Sequence, residues 1–362
     1  MQIISYNKYE LQKFIESDFF KQLKKIPISK HRAISHINNP YCADDDVLLW
    51  AAYEDNMLMG YLGVLPDMIV RNNREEKIYW ASCFWTDKAF RKTEIAATLF
   101  FSLIEKYEKQ LFIAGFTPSL ERPYQKSGIF QPTQHRLGDY LYRNLAFSER
   151  IKTQFPKLKS IVPLYSLVEK CFNFTLFLGR KLIPEKITPN FSMVENTIFD
   201  AEFDDFVKKY CNENQLVVRS SSYFDWIIKY PWVLQGTSDK ESERYNFSSK
   251  AEQFEYHSVK IYKGQQMEGF MLLKIRDKRL TISFSYLNDI CVQDAVNFIF
   301  QIANAQNLTV IISFDDKLSS ELKKKRLKYI FSKKNKKQYL FPLHYSISFD
   351  AFNEGEGDSV FS

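Results

Sequence analysis

Apolar and polar positions along this chain follow two periods in turn. Over residues 7–25, apolar side chains recur at helical spacing (Leu11, Phe14, Ile15, Phe19, Leu23) among charged ones, which predicts an amphipathic helical segment. Residues 47–53 read as an apolar strand, Glu54-Asp55-Asn56 as a turn and 57–65 as a second strand, so the three make a hairpin. A polar turn over 71–77 leads into a strand at 78–86. A helix follows at 96–107, a buried strand at 111–116, a short helix at 119–127 and a closing strand at 136–143. The sum is one mixed α/β unit over 1–145, near the usual domain size.

The pattern then changes. Residues 155–183 are apolar and aromatic with basic flanks (Lys157, Lys159, Arg180, Lys181), punctuated by Pro156, Pro163 and Pro184. This predicts one or two linker helices, the longer starting near Pro163. Two readings stand side by side. The helix packs between two domains, or it lies on a membrane surface with aromatic and leucine side chains in the interface and lysines outside. From about residue 196 the first pattern restarts: helix 200–212, strands 256–262, 267–275 and 280–286, helix 292–305, strand 309–314, a basic helix 319–328 and a last strand 338–342. The element order of the first half repeats without a clear repeat in sequence. The expected fold class is α/β, of the α+β kind: two mixed-sheet domains in tandem (1–145 and 196–350), a helical linker (146–195) and an acidic Gly-Asp tail (351–362).

Composition narrows the function. The net charge of +7 is local: residues 323–337 hold nine Lys/Arg and no acid, so the rest of the chain sums to −2. This does not fit a globally basic nucleic-acid binder, and no nucleic-acid partner is expected. The basic run reads as a solvated helix face and hairpin, or as an anion site. Five cysteines lie far apart without a CxxC, and the five histidines form no HxxxH or HxH pair, so neither disulfides nor a metal site is expected. With no basic-then-apolar leader and no apolar run of membrane-spanning length, the expected location is cytoplasmic, with the inner membrane face open through residues 155–183.

Chemistry concentrates in residues 83–130. An apolar strand runs into a basic turn that opens an amphipathic helix. A second strand and a short helix with Tyr124 follow, ending at Gly128. This order resembles the GNAT superfamily of acyl-CoA N-acyltransferases over about residues 30–140. The whole chain resembles tandem GNAT proteins of bacterial surface-polysaccharide gene clusters, through the aromatic segment 223–231, the hairpin 259–273 and the tail 354–361. The resemblance implies acetyl-CoA or another acyl-CoA as cofactor. It places the pyrophosphate on the turn Arg91-Lys92-Thr93-Glu94-Ile95-Ala96, with Thr98 in the first helical turn, where backbone N–H groups and the helix N-terminus bind anions. It places the pantetheine arm and thioester carbonyl along Phe84, Trp85 and Thr86, and it makes Tyr124 the proton donor to the departing thiolate.

Glu94 departs from the family, which has glycine there; a carboxylate beside a pyrophosphate is a like-charge conflict. It swings to solvent, pairs with Lys92 or Arg91, or marks a site without CoA. The second half carries no such turn before helix 292–305. For the amine's proton the candidates are His36, Asp67 and Asp44–Asp46, each also readable as a local loop or turn residue. Trp226, Trp232 and Tyr230 read as core or domain-interface aromatics, with sugar stacking as the other reading. The expected function is acyl transfer to an amine on a small acceptor, in the resemblance a sugar or nucleotide-sugar of the cell envelope. The alternatives are FemABX-like aminoacyl transfer to a cell-wall precursor, or an inactive binding or scaffold protein.

Overall fold

The computed structural model describes residues 1–71, 74–91, 93–145, 162–182, 185–196, 198–211, 219–345, 347 and 352–361. The chain forms two compact units, each assembled from separated segments. The first takes Met1–Arg136, Ile198–Phe254 and Lys337–Ser362; the second takes Leu137–Thr197 and Glu255–Lys336. The sequence reading laid the domains end to end. In the structure, residues 198–254 and the tail return to the first unit. Aromatic burial brings them back: Trp226 Nε1 donates to the Ser35 carbonyl at 2.7 Å and Trp232 Nε1 to Ser35 Oγ at 2.9 Å.

In the first unit, strands β1 (Gln2–Asn7), β2 (Val47–Glu54), β3 (Met57–Arg71) and β4 (Arg74–Thr86) pair antiparallel in that order. Strand β5 (Leu111–Ala114) joins β4 in parallel through helix Ile95–Tyr107. Period-two alternation divides the unit's apolar side chains between two faces. Leu49, Ala51 and Tyr53 of β2 pack with Leu11, Phe14 and Phe20. Trp50 and Ala52 pack with Leu99, Leu103 and Tyr107 of helix Ile95–Tyr107. Gly60 lets that helix sit close, because a Cβ there would lie 3.2 Å from Leu99 and 3.3 Å from Ile95.

The β3–β4 hairpin is longer than the expected 57–65 and 78–86. Its polar residues, read as a turn, pair across the strands as Met68↔Lys77, Ile69↔Glu76 and Val70↔Glu75. Strand pairing satisfies backbone groups whatever the side chain, so charge at an exposed hairpin end does not stop it. Asp67, read as a turn residue, lies within β3 and is buried.

The second unit holds β6 (Gln134–Tyr142, from Leu137 on), β7 (Phe191–Glu195), β10 (Phe254–Lys263), β11 (Gln266–Arg276), β12 (Arg279–Leu287) and β13 (Val310–Ser313). Here β11 pairs with β12 antiparallel, and β13 lies parallel to β12 after helix Val292–Ala305. The order strand, strand, helix, parallel strand is that of β3 to β5. A short parallel pair, β8 (Leu234–Gln235) and β9 (Lys250–Ala251), belongs to the first unit. So do the last residues of β14 (Phe331–Leu340), with Tyr339 opposite Ala114 and Leu340 opposite Ile113.

Five cations of the basic run pair with acids of their own unit. Lys323 pairs with Asp139, Lys324 with Glu321, and both Lys325 and Lys328 with Glu185; Lys337 pairs with Glu354. Among the described residues, no helix is long and apolar enough to cross a membrane.

Candidate active site

Parallel pairing between β4 and β5 covers only Tyr79–Ala81. Strand β4 continues through Thr86, so its last five residues run on without a β5 partner. Within this stretch the ladder to β3 slips: Tyr61 faces Trp85 and Gly63 faces Ser82, leaving Leu62 opposite both Cys83 and Phe84. Cys83 takes φ +51° at this bulge, a left-handed conformation costly for a side chain with a Cβ. Bulges re-aim side chains, and here the two neighbours part. Phe84 packs on the face of helix Ile95–Tyr107. Cys83 and Trp85 pack on the face of helix Lys30–Ile37, with Trp85 stacked on Tyr61 at 5.3 Å.

After Thr86 the chain forms a 3-10 turn. Asp87 closes it by accepting from Ala89 N–H at 3.0 Å, and Lys25 holds Asp87 at 2.5 Å. Arg91, Thr93 and Glu94 are exposed. The N-cap residue of helix Ile95–Tyr107, Glu94, makes no side-chain capping bond, so among the described residues its first-turn N–H groups have no side-chain acceptor. The hydroxyls of Thr93 and Thr98 donate back to the Phe90 and Glu94 carbonyls, at 2.6 and 2.9 Å. Ile95 is buried and Ala96 half-buried. Lys92 lies outside the described residues.

Tyr124 sits on helix Pro118–Lys126, 4% exposed, ringed by Phe100 at 4.9 Å, Phe116 at 5.5 Å and Phe130 at 6.4 Å. Burial pushes its phenol above the ordinary value, so it keeps its proton at neutral pH. Phe84, Ile95 and Tyr124 thus share one apolar cluster.

His36 lies on the other face. It is fully buried on helix Lys30–Ile37, stacked on Trp232 at 4.8 Å. Arg32 Nε donates to its Nε2 at 3.3 Å. Burial, and then the Arg32 charge, hold the imidazole well below its ordinary pKa. The structure therefore does not bring His36 and Tyr124 together.

On the His36 face is a polar centre the sequence did not reveal. Arg32 donates to Ser82 Oγ and to the Tyr245 hydroxyl, each at 2.8 Å, and to Cys83 Sγ. Ser82 in turn donates to Asp358 at 2.5 Å. Beside it, Arg219 binds both Asp67 (Nη2 to Oδ2, 2.8 Å) and Glu356 (Nε to Oε2, 3.0 Å), while Trp80 Nε1 donates to Asp67 at 2.8 Å. All three ionic groups are at most 2% exposed. Asp46, read with Asp44 as a solvated turn, is buried too and binds Lys77 at 2.6 Å and the Tyr79 hydroxyl at 2.9 Å.

No family model matches the chain, and no curated protein matches it. Solved structures do. A conserved protein of unknown function from Enterococcus faecalis V583, described as a probable N-acyltransferase, superposes with a TM-score of 0.52 at 11% identity, covering 93% of this chain and 72% of that one. GCN5-related N-acetyltransferases from Kribbella flavida and Anabaena variabilis ATCC 29413 each reach 0.49 at 9% identity, covering 93% of this chain and 71% and 72% of theirs. At 11% identity the first likeness is one of fold.

Proposed function

We propose that the first unit binds an acyl-CoA and transfers its acyl group to an amine, as a GNAT-type N-acyltransferase. One observation carries this reading. The bulged end of β4, unpaired by β5, leads through the exposed Arg91, Thr93 and Glu94 into a helix whose N-cap residue, Glu94, makes no side-chain capping bond. That places backbone donors on an extended edge and at a positive helix pole in one continuous run, as a thioester arm and a diphosphate require. The fold it shares with a probable N-acyltransferase supports the same reading.

In this reading the first-turn amides with Arg91 and Thr93 hold the diphosphate, and Ile95 and Ala96 set the helix against the sheet. Glu94, exposed and uninvolved in capping, turns to solvent. The edge Phe84–Thr86 orients the pantetheine arm. Acyl-CoA supplies the activated thioester. Tyr124, kept protonated by its apolar ring, is the proton donor. His36 is neutral and enclosed, so it positions Arg32 rather than taking the amine's proton. The acceptor is a small amine; a sugar or nucleotide-sugar amine rests on the sequence resemblance alone.

Calorimetric titration with acetyl-CoA and longer acyl-CoAs tests this. Binding is expected for the wild type, weakened by Arg91→Ala and strengthened by Glu94→Gly. A wild type that binds no acyl-CoA, whatever Glu94→Gly does, overturns the reading and leaves aminoacyl transfer or a binding role.

A further inference from the structure

Helix Val162–Leu182 is built inside out. Its half-buried or buried positions are Ser166, Glu169, Asn173, Leu176, Phe177 and Arg180, spaced by threes and fours along one side. Polar groups on that side fasten it to its own unit. Leu145 N–H donates to Asn173 Oδ1 and Asn173 Nδ2 donates to the Leu145 carbonyl, both at 2.9 Å. Arg180 binds the Asn144 side chain at 2.9 Å and the Arg143 carbonyl. The opposite side of the helix holds Leu164, Leu167, Val168, Phe174, Leu178 and Leu182, each between 45% and 82% exposed. A surface helix of a water-facing domain has these sides reversed.

From this we infer that helix Val162–Leu182 is a membrane-surface anchor that seats the protein on an anionic lipid bilayer. The outward stripe is apolar and aromatic, with exposed Tyr165 and Phe172 at one margin. Lys170 is exposed at the other margin. Lys170 and Lys186 are exposed, Glu169 lies on the inward side and Glu185 is paired with Lys325 and Lys328, so the charge beside the stripe is positive, which complements an anionic headgroup layer as it would not complement a second copy of the same helix. The helix is too polar to cross the bilayer, so it lies in the interface plane, apolar side down. This inference does not depend on acyl transfer.

The test is co-sedimentation of the full chain with phosphatidylcholine vesicles, with and without phosphatidylglycerol. The wild type is expected to pellet with anionic vesicles and far less with neutral ones. The combined change Leu167→Asn, Phe174→Asn and Leu178→Asn is expected to cut partitioning about a hundredfold, and Lys170→Gln to weaken it only with anionic vesicles. Because these side chains are exposed, the thermal melt is expected to stay put, which separates lost docking from lost folding. The inference is overturned if the wild type stays in solution, if the triple variant binds as well, or if neutral vesicles bind equally. It is also overturned if light scattering finds a dimer that the triple variant breaks while neither protein binds vesicles.

Discussion

Ser82 donates to Asp358 at 2.5 Å across 276 positions of chain. The contact joins the bulged end of β4 to the acidic tail, and it is not isolated. Gly357 lies on the Trp80 indole, Phe361 stacks on Trp232 at 4.4 Å, and Lys337 binds Ser359 and the Glu354 carbonyl. The tail is thus part of the first unit's core, behind the strand proposed to hold the thioester.

Arg219 is the cation between two buried carboxylates. Replacing it with Met leaves Asp67 and Glu356 without a countercharge, and removing one partner of a buried ionic network costs about 3–5 kcal/mol. Urea denaturation of Arg219→Met should show that loss. Adding Asp67→Asn and Glu356→Gln should recover most of it, since no charge then remains to compensate.

One guanidinium does not fully balance two carboxylates. Burial pushes Glu356 up to about 7 from an ordinary 4.5, against the pull of Arg219, and its Oε1 has no hydrogen-bond partner. A carboxyl group raised on folding stabilises the fold fully below its unfolded value and loses that contribution as pH rises through its folded value. Wild type and Glu356→Gln should therefore be about equally stable near pH 4. Between pH 4.5 and 7 the Gln variant should pull ahead, by roughly 1–3 kcal/mol at pH 8. Melts of both proteins across this range check the sign.

Two glycines allow a clean comparison. Gly357 has φ +68°, and a Cβ there would lie 2.9 Å from Trp80; Gly115 has φ +64° with nothing within 4 Å. Gly115→Ala should cost only the left-handed backbone term, about 1 kcal/mol. Gly357→Ala adds a clash with a packed indole and should cost about 2–4 kcal/mol. It should also speed proteolysis near residue 355, which Gly115→Ala should not.

Tyr124→Phe keeps the ring that packs on Phe100 and Phe116 and removes only the hydroxyl. If Tyr124 is the proton donor, kcat should fall about 10–100-fold while acyl-CoA affinity and the melt barely move. A parallel fall in affinity would assign the hydroxyl to cofactor binding instead.

Where side chains repeat at a fixed period, the sequence was a reliable guide. The helix expected at 292–305 is Val292–Ala305, and the one expected at 96–107 begins one residue earlier, at Ile95. Trp226 and Trp232, read as core or domain-interface aromatics, are buried in the first unit. What stayed hidden depends on partners distant in sequence. Asp67, Arg219 and Glu356 come from three segments, and nothing adjacent to any of them marks a buried ion. Asp67 beside Pro66 looks like a turn until Arg219 and Trp80 arrive. His36 was legible as a candidate base, but its neutrality comes from burial under Trp232 and from Arg32, one helical turn before it. Residues 155–183 were legible as an apolar, aromatic helix with basic flanks; which of its sides faced the protein was not, because that depends on Asn144, Leu145 and the groups they meet.

The interleaving of the first unit has a consequence for biosynthesis. A ribosome delivers β1 to β5 first, with Asp67 among them, yet the residues of β14 that pair with β5, the second acid on Arg219 (Glu356) and the acid on Ser82 (Asp358) all come after residue 336. A nascent chain therefore holds the bulged end of β4 with its polar centre incomplete until Glu356 and Asp358 have emerged. The centre begun at Arg32 and Ser82 closes only when Asp358, 276 positions beyond Ser82, has joined it, so folding of the unit waits on a contact of long sequence separation.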